Sequence, residues 1–508
     1  MIGSQLHDHR RDRRRFLLTA LGVLALPLGP SVAANRRGAA RQKTVDSGPW
    51  SRFRGPNGSG VGVGTGYPAA LSQPNLLWKV PVPDGRSSPV LTASSVFITG
   101  ERSNVPSVLC LDRGTGRLVW EQSISTPRRE PRQRRNSVAS PTPVTDGQNV
   151  YAFFGDFGLV SYDASGRHRW STPLGPFASG WGMATSPILV DTRLILQADG
   201  YAGSFIAAFD TATGKELWRR DRPSFLQNYS TPIVRTARDG TTEILALAPN
   251  QIVAYEIRTG RERWTAPAPG QSIVSSLAMS DDLLVCTNHS EEAIQSFADR
   301  LKQFDRDGDS LLGPGEYGTD QLAVVSEQVA KHTGDKDGRL SEQEYLAAYR
   351  ALGADQGGDG KITAKQSLVA AIRLHPGADG TVKAATAWTH SRNAPYAPSP
   401  LIYGGTLYLL AAGGILSTVA DPSSPTVAKV ARIDPAFGNC WASPVAADGK
   451  VYVLSEDGKA GVVKAGAIWE VLAMDELNEI CYATPALADG RVYLRTSQSL
   501  MCFTSRAA

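Results

Sequence analysis

The chain has 508 residues, 42% of them hydrophobic and 20% charged, with 50 Gly and 32 Pro. That balance is the one of a soluble globular chain rich in turns, and it excludes a low-complexity or collagen-like polypeptide. The formal charge of +5 includes five Arg and two Asp from residues 1–34; what remains is too small an excess to point to nucleic acid, and no such partner is expected.

The N-terminus reads as an address. Arg13-Arg14-Arg15-Phe16-Leu17 precedes a short apolar run to Leu28, and Ser31-Val32-Ala33-Ala34 offers small-residue cleavage sites. Residues 1–34 are therefore expected to be an export signal, with an arginine pair that resembles the twin-arginine type. No cysteine follows the apolar run to carry a lipid anchor, and no later apolar run is long enough to span a membrane. The expected location is periplasmic or secreted.

After a lead-in from Trp50 to Gly58, the strand Leu76-Leu77-Trp78-Lys79-Val80 reads as the fourth strand of a unit whose first three are missing. The unit itself is clearest at Ala208-Phe209-Asp210-Thr211-Ala212-Thr213-Gly214-Lys215-Glu216-Leu217-Trp218: an outgoing strand, an Asp/Gly turn and a return strand ending in tryptophan. Copies end at Trp120, Trp170 and Trp264, and a worn one at Trp388. Ahead of the copies stand small-residue–proline pairs, Ser88-Pro89, Ser140-Pro141, Ser186-Pro187 and Thr231-Pro232, then Ser399-Pro400, Ser443-Pro444 and Thr484-Pro485. Spacing of roughly 41–52 residues with four short strands per unit signals a β-propeller. Including a start near Ser275, the count is eight blades. The N-terminal strand is expected to complete the last blade, leaving no open sheet edge. Between blades 1 and 2 lies the basic run Arg128–Arg135, read as a solvated loop. Of five cysteines, Cys110, Cys286 and Cys502 read as buried apolar residues, whereas Cys440 and Cys481, each four residues before a blade's proline, are candidates for a disulfide.

One interval breaks the period. About 80 extra residues separate the strand Leu283–Cys286 from the strand Leu368–Leu374. Residues 290–379 carry 16 acidic and 10 basic side chains. The domain layout expected is 50–289 for the lead-in, closing strand and blades 1 to 5 (first part), 290–366 for a small α-helical insertion in blade 5, and 367–503 for the remainder. Asp305-Arg306-Asp307-Gly308-Asp309-Ser310-Leu311-Leu312-Gly313-Pro314-Gly315-Glu316 matches a twelve-residue EF-hand calcium loop. The candidate ligands are Asp305, Asp307, Asp309 and Glu316, with Leu311 at the seventh position. Calcium needs six to eight hard oxygens, and this spacing curls them around one ion. Ser310 stands where the sharp turn normally takes Gly, so the turn should be strained. The second loop, 333–344, offers Asp335, Asp337, Arg339 at the seventh position and Glu344. A third, 355–366, lacks carboxylates at positions 3 and 12. The flanks Glu292–Phe304 and Tyr317–His332 have helical periodicity.

With these residues in hand, the chain resembles the PQQ-like (quinoprotein-type) β-propeller repeat family, whose motif Ala-x-Asp-x-x-Thr-Gly-Lys-x-x-Trp is complete at 208–218. It is similar to secreted bacterial members opening with Trp-x-x-Phe-Arg-Gly, here Trp50–Gly55. The resemblance implies that Trp120, Trp170, Trp218 and Trp264 dock on the Gly turn of a neighbouring blade. It also implies two functional branches. Quinoprotein dehydrogenases hold a quinone over calcium and commonly carry a disulfide between adjacent cysteines; this chain has neither a Cys-Cys pair nor a Cys-x-x-Cys-His haem site. The other branch resembles the propeller lipoprotein of the outer-membrane protein assembly machinery, a docking platform.

Loops entering the innermost strands should ring one mouth of the axial channel with Arg86, Asn136, Trp181, Asn228, Tyr229, Tyr396, Asn439, Trp441 and Tyr482. No nucleophile–base pair stands out, and no catalytic residue is assigned. The expected function is an exported, non-enzymatic binding or scaffold protein, monomeric, with Ca2+ as cofactor and an unidentified protein or glycan partner. The alternatives are a PQQ-dependent dehydrogenase, with PQQ the less favoured cofactor, and a glycan-binding or glycan-cleaving propeller.

Overall fold

A computed structural model describes residues 50–505, apart from 131, 134, 178, 180, 201–202, 223–227, 269, 271–272, 294–296, 319–325, 328–329, 332–334, 346–354, 357–361 and 378–380, with 290–293, 355–356 and 362–366 as backbone only. The expected export signal and most of the third loop lie outside the described residues. The chain forms eight antiparallel sheets of an eight-bladed β-propeller, seven of four strands and one, blade 5, of five. Blade 8 is Ala486–Ala488, Arg491–Arg495 and Ser499–Thr504, completed by Leu76–Pro81 from the other end of the chain. Their register runs from Leu76 opposite Phe503 to Pro81 opposite Ser499. The ring is thus closed by strand pairing, as the orphan fourth strand implied.

The repeated unit folds as its residues dictate. In the turn after Phe205–Asp210, one Asp210 carboxylate oxygen accepts the Ala212 and Thr213 N–H groups and the Thr213 hydroxyl, at 3.1, 2.9 and 2.8 Å. Gly214 then takes φ 71°. A Cβ there would meet Trp170 Cε3 at 2.4 Å, because the tryptophan of the preceding blade lies on that turn. Trp120 sits likewise on Gly166, Trp218 on Gly260, and Trp78 of the closing strand on Gly116. Trp264 donates to Glu243 of its own blade, and the part of the blade 5 turn on which it is expected to dock, 378–380, lies outside the described residues. A β-bulge recurs between the third and fourth strands of every blade, its extra residue in the fourth strand, as at Leu217 just before Trp218; the extra residue sharpens the local twist.

The small-residue–proline pairs have a specific job. The Ser88 N–H donates to the Thr142 hydroxyl at 2.9 Å, and Thr142 N–H to Ser186 at 3.0 Å. The series continues through Thr231, Ser276, Ser399, Ser443 and Thr484. It ends where it began, with Thr484 N–H on the Ser88 hydroxyl at 3.0 Å. One bond per blade circles the axis, each buried donor satisfied by the next blade's hydroxyl. The proline after seven of these residues brings no further N–H to a crowded position. In blade 2 the member is Thr142-Pro143, two residues beyond the expected Ser140-Pro141, because two such pairs lie in tandem there.

Both strands flanking the insertion run further than expected. Leu283–Ala293 and Ile362–Pro376 stay paired from Leu283–Arg373 to Ala293–Thr363, so Glu292 is in a strand, and among the described residues the first helix is Phe297–Phe304. Cys440 and Cys481, proposed above as a disulfide, are free thiols, as are the other three; all five are buried.

Candidate functional site

Successive strands of a blade alternate in direction. Loops that enter the innermost strands and loops between second and third strands therefore share one face; the remaining turns share the other. The lead-in occupies the second face. Trp50 and Ser51 carbonyls accept from Leu91 in blade 1 and Thr145 in blade 2, at 2.9 Å each. Asn57 pairs both ways with the Val234 backbone of blade 4, and Gly60 and Gly62 pair with Ala446 of blade 7. Arg52 and Arg54 donate to the Pro232 and Pro400 carbonyls at 2.5 and 2.7 Å. The segment thus spans the axial channel and satisfies inward-facing edge groups of blades 1, 2, 4, 6 and 7. Burial pushes Arg54, which is fully enclosed, down to about 9. Sequence reasoning saw this stretch only as a lead-in; its Gly and Asn left-handed turns at Gly55 and Asn57 were the available signal.

The first face carries the funnel mouth and the insertion. At the mouth, three side chains from separate loops converge on Glu456 of blade 7. Tyr482 Oη donates to Oε1 at 2.9 Å, Trp441 Nε1 to Oε2 at 2.8 Å, and Arg135 Nε stands 3.5 Å from Oε1. The Arg135 guanidinium also lies over the Trp441 ring at 5.0 Å, and Arg86 over Tyr482 at 4.6 Å. Tyr396 meets Trp441 edge-on at 5.9 Å and covers His289 at 4.4 Å. His289 is completely buried; its ring nitrogens bond Tyr396 O at 2.7 Å and Ser367 Oγ at 2.9 Å. Burial and the Glu456 carboxylate raise the Tyr482 phenol.

Seven of the nine expected mouth residues are linked, in two separate groups. Arg86, Tyr396, Trp441 and Tyr482 belong to this network, directly or through Glu456, and Asn439 borders it with its carbonyl on the Glu456 N–H at 2.7 Å. Asn136 and Trp181 pair separately, Asn136 Nδ2 donating to the Trp181 carbonyl at 2.8 Å. Asn228 is a correction: it is 1% exposed and donates to Asp199 and to the Leu247 carbonyl. There it joins the buried bidentate pair of Arg222 and Asp199, at 2.7 and 3.0 Å. Its neighbour Tyr229 is half-buried and bonds Ile273 through its backbone. The basic run is also more than a solvated loop. Arg128 donates to the Gly155 carbonyl, Arg132 grips Asp156, and Arg135 reaches blade 7. Within this loop Glu130 is almost fully enclosed, accepts the Phe177 N–H at 2.9 Å and is pushed up to about 7 by burial. Glu456 and Glu130, decisive here, have no sequence signature.

In the insertion, the carboxylate oxygens of Asp305, Asp307 and Asp309 lie within 4.8 Å of one another. Asp305 accepts the Gly308 and Ser310 N–H groups, and Ser310 takes the left-handed φ of 65°. Glu316 accepts from Arg306 and Gly313 N–H, both at 2.8 Å; the Gly313 bond first, then that from Arg306, holds its carboxyl below the usual range. The two loops are joined at their eighth positions, Leu312 and Leu340 exchanging backbone bonds at 3.2 and 2.9 Å. In the second loop Asp335 and Asp337 are exposed. Glu344 is 6% exposed and bonds Ser341 through Oε2, while its Oε1 is buried without a hydrogen-bond partner. Hard oxygens at this spacing, one of them orphaned, fit a calcium ion.

A family model described as outer membrane protein assembly factor BamB matches residues 69–171 and 106–301. Proteins of that name from Kangiella koreensis and Xanthomonas campestris are 31% and 32% identical over 138 and 133 residues, or 27% and 26% of this chain. Those stretches are 32% and 30% of the relatives, so the match spans about a third of their length. Among solved structures, BamB from Moraxella catarrhalis superposes with a TM-score of 0.53 at 11% identity, covering 85% of this chain and 98% of its own. Quinohemoprotein alcohol dehydrogenase from Comamonas testosteroni does so at 0.54 and 13%, covering 92% and 82%. At such identities both likenesses show the fold alone.

Proposed function

The chain belongs to the PQQ-like β-propeller repeat family, and from that premise we propose that it is an exported, non-enzymatic binding protein whose working face is the funnel mouth. The observation that carries this reading is the state of the mouth. Trp441 and Tyr482 have their ring faces under Arg135 and Arg86, and both Glu456 oxygens are engaged. Among the described residues such a rim offers a polypeptide a polar, arginine-edged surface but no bare slot for a planar quinone. The BamB relatives, named for assembly of outer-membrane proteins, support a polypeptide as partner. The arginine pair near the N-terminus supports export.

Calcium enters as a structural ion of the insertion. Asp305, Asp307, Asp309, Glu316 and the Leu311 carbonyl would hold it in the first loop, and Asp335, Asp337, Glu344 and the Arg339 carbonyl in the second. Bound there, the ion neutralises clustered carboxylates and stiffens the insertion on its strand pair. Protein recovered from the extracytoplasmic fraction of cells carrying the full chain should gain several degrees of Tm for the insertion with calcium over chelator. It should show no dye reduction with alcohols or sugars after incubation with PQQ and calcium. Sustained turnover would replace this reading with the dehydrogenase, and protein confined to the cytoplasm would remove export from it.

A further inference from the structure

We propose that Arg339 is a tethered counter-cation that competes with calcium for Asp309 and so sets the affinity of the first loop. The inference rests on the calcium reading of that loop. The Leu312–Leu340 backbone bridge holds the two loops side by side. It brings the seventh position of the second loop against the fifth of the first. There the Arg339 guanidinium is in contact with Asp309 Oδ2, while Asp309 Oδ1 accepts the Leu311 N–H at 2.8 Å. Both oxygens of an expected ligand are therefore engaged, one by a full positive charge.

The arginine side chain is not needed by its own loop. A seventh-position residue contributes only its carbonyl, and Arg339 is anchored through its backbone N–H on Asp337 at 2.7 Å. Other cations of the two loops are differently disposed. Arg306 engages Glu316 through its backbone N–H, and Lys336 is exposed with no recorded ion pair among the described residues. A divalent ion entering the first loop must displace the guanidinium or share Asp309 with it. Either way, part of its attraction to the carboxylates is spent in breaking an existing pair. The pair is partly exposed, with Arg339 and Asp309 side chains 45% and 28% accessible, so the handicap should be modest and screened by salt.

The test is calcium titration of chelator-stripped full-length protein, followed by calorimetry or a competing indicator dye. Arg339→Gln should bind calcium at the first loop about threefold to tenfold more tightly than the parent. Lys336→Gln removes an equal charge nearby and should change affinity much less. The gain from Arg339→Gln should shrink between about 20 mM and about 500 mM KCl. On an Asp309→Asn background it should largely vanish, as a double-mutant cycle requires of two groups acting through one contact. Equal effects at 336 and 339 would reduce Arg339 to background charge, and weaker binding in Arg339→Gln would reverse its role. If neither parent nor variant binds calcium, the calcium reading itself falls, a distinct result.

Discussion

At the scale of single residues, burial decides which charges matter. Glu130 sits in the Arg-rich loop with its carboxylate almost sealed from solvent, and desolvation lifts it from 4.5 to about 7. Between those values the folded protein keeps a proton that the unfolded chain has lost. Stability from this group is therefore fully present below about 4.5 and declines as pH rises to about 7. Glu130→Gln should flatten the pH dependence in that window and raise stability at pH 8 by about 2 kcal/mol. Denaturant melts of both proteins across the range would check it, and a parent curve that rises with pH there would contradict it. Asn228 teaches the complementary point: an amide expected at the mouth is instead spent on Asp199 and a carbonyl inside blade 4, where an unsatisfied group would be costly.

At the scale of elements, the strand–turn–strand hairpins were the most legible part of the chain, because a short local motif specifies them. Asp210 closes its own turn and Gly214 supplies the positive φ. The calcium loops are local in the same sense, and their spacing is read without knowledge of the rest. Two substitutions test the first loop. Ser310→Gly relieves a left-handed backbone that costs a serine about 1 kcal/mol, so it should tighten calcium binding up to about fivefold. Glu316→Gln should lose most first-loop affinity. In both, the far-ultraviolet β signal should match the parent, since the insertion hangs from the paired strands Leu283–Ala293 and Ile362–Pro376. Loss of that signal in Glu316→Gln would mean that the insertion holds the propeller together. The helix boundary was the weak element: Glu292 and Ala293 fit a helical pattern but are captured by strand pairing with Ala364 and Thr363.

At the scale of the whole molecule, the ends of the chain hold the ring. Leu76–Pro81 pairs with Ser499–Thr504, Trp78 docks on Gly116, and Trp50 is fully buried at the opposite face from the mouth. Removing residues 1–82 would expose the Ser499–Thr504 edge and forfeit the packing of Trp50 and Trp78, each worth roughly 3–5 kcal/mol. The truncated chain should unfold at markedly lower temperature, with loss of a single cooperative transition, and should self-associate. Calorimetry and sedimentation would show this; a monomer with the parent's Tm would deny the closing strand its role.

Periodicity alone determined the architecture: a repeat of small-residue–proline pairs and Asp/Gly hairpins specifies blades, and an orphan fourth strand specifies how they close. These signals are legible because each lies within one unit of sequence. What joins units was decided only by tertiary structure. The hydroxyl ring from Ser88 to Thr484, the span of Trp50–Gly62 across the channel and the meeting of Arg135, Trp441 and Tyr482 on Glu456 all link residues tens to hundreds of positions apart. The choice of Thr142 over Ser140 belongs with them. Both precede a proline, and it is the bonds to the neighbouring blades, from Ser88 N–H to Thr142 and from Thr142 N–H to Ser186, that distinguish the two.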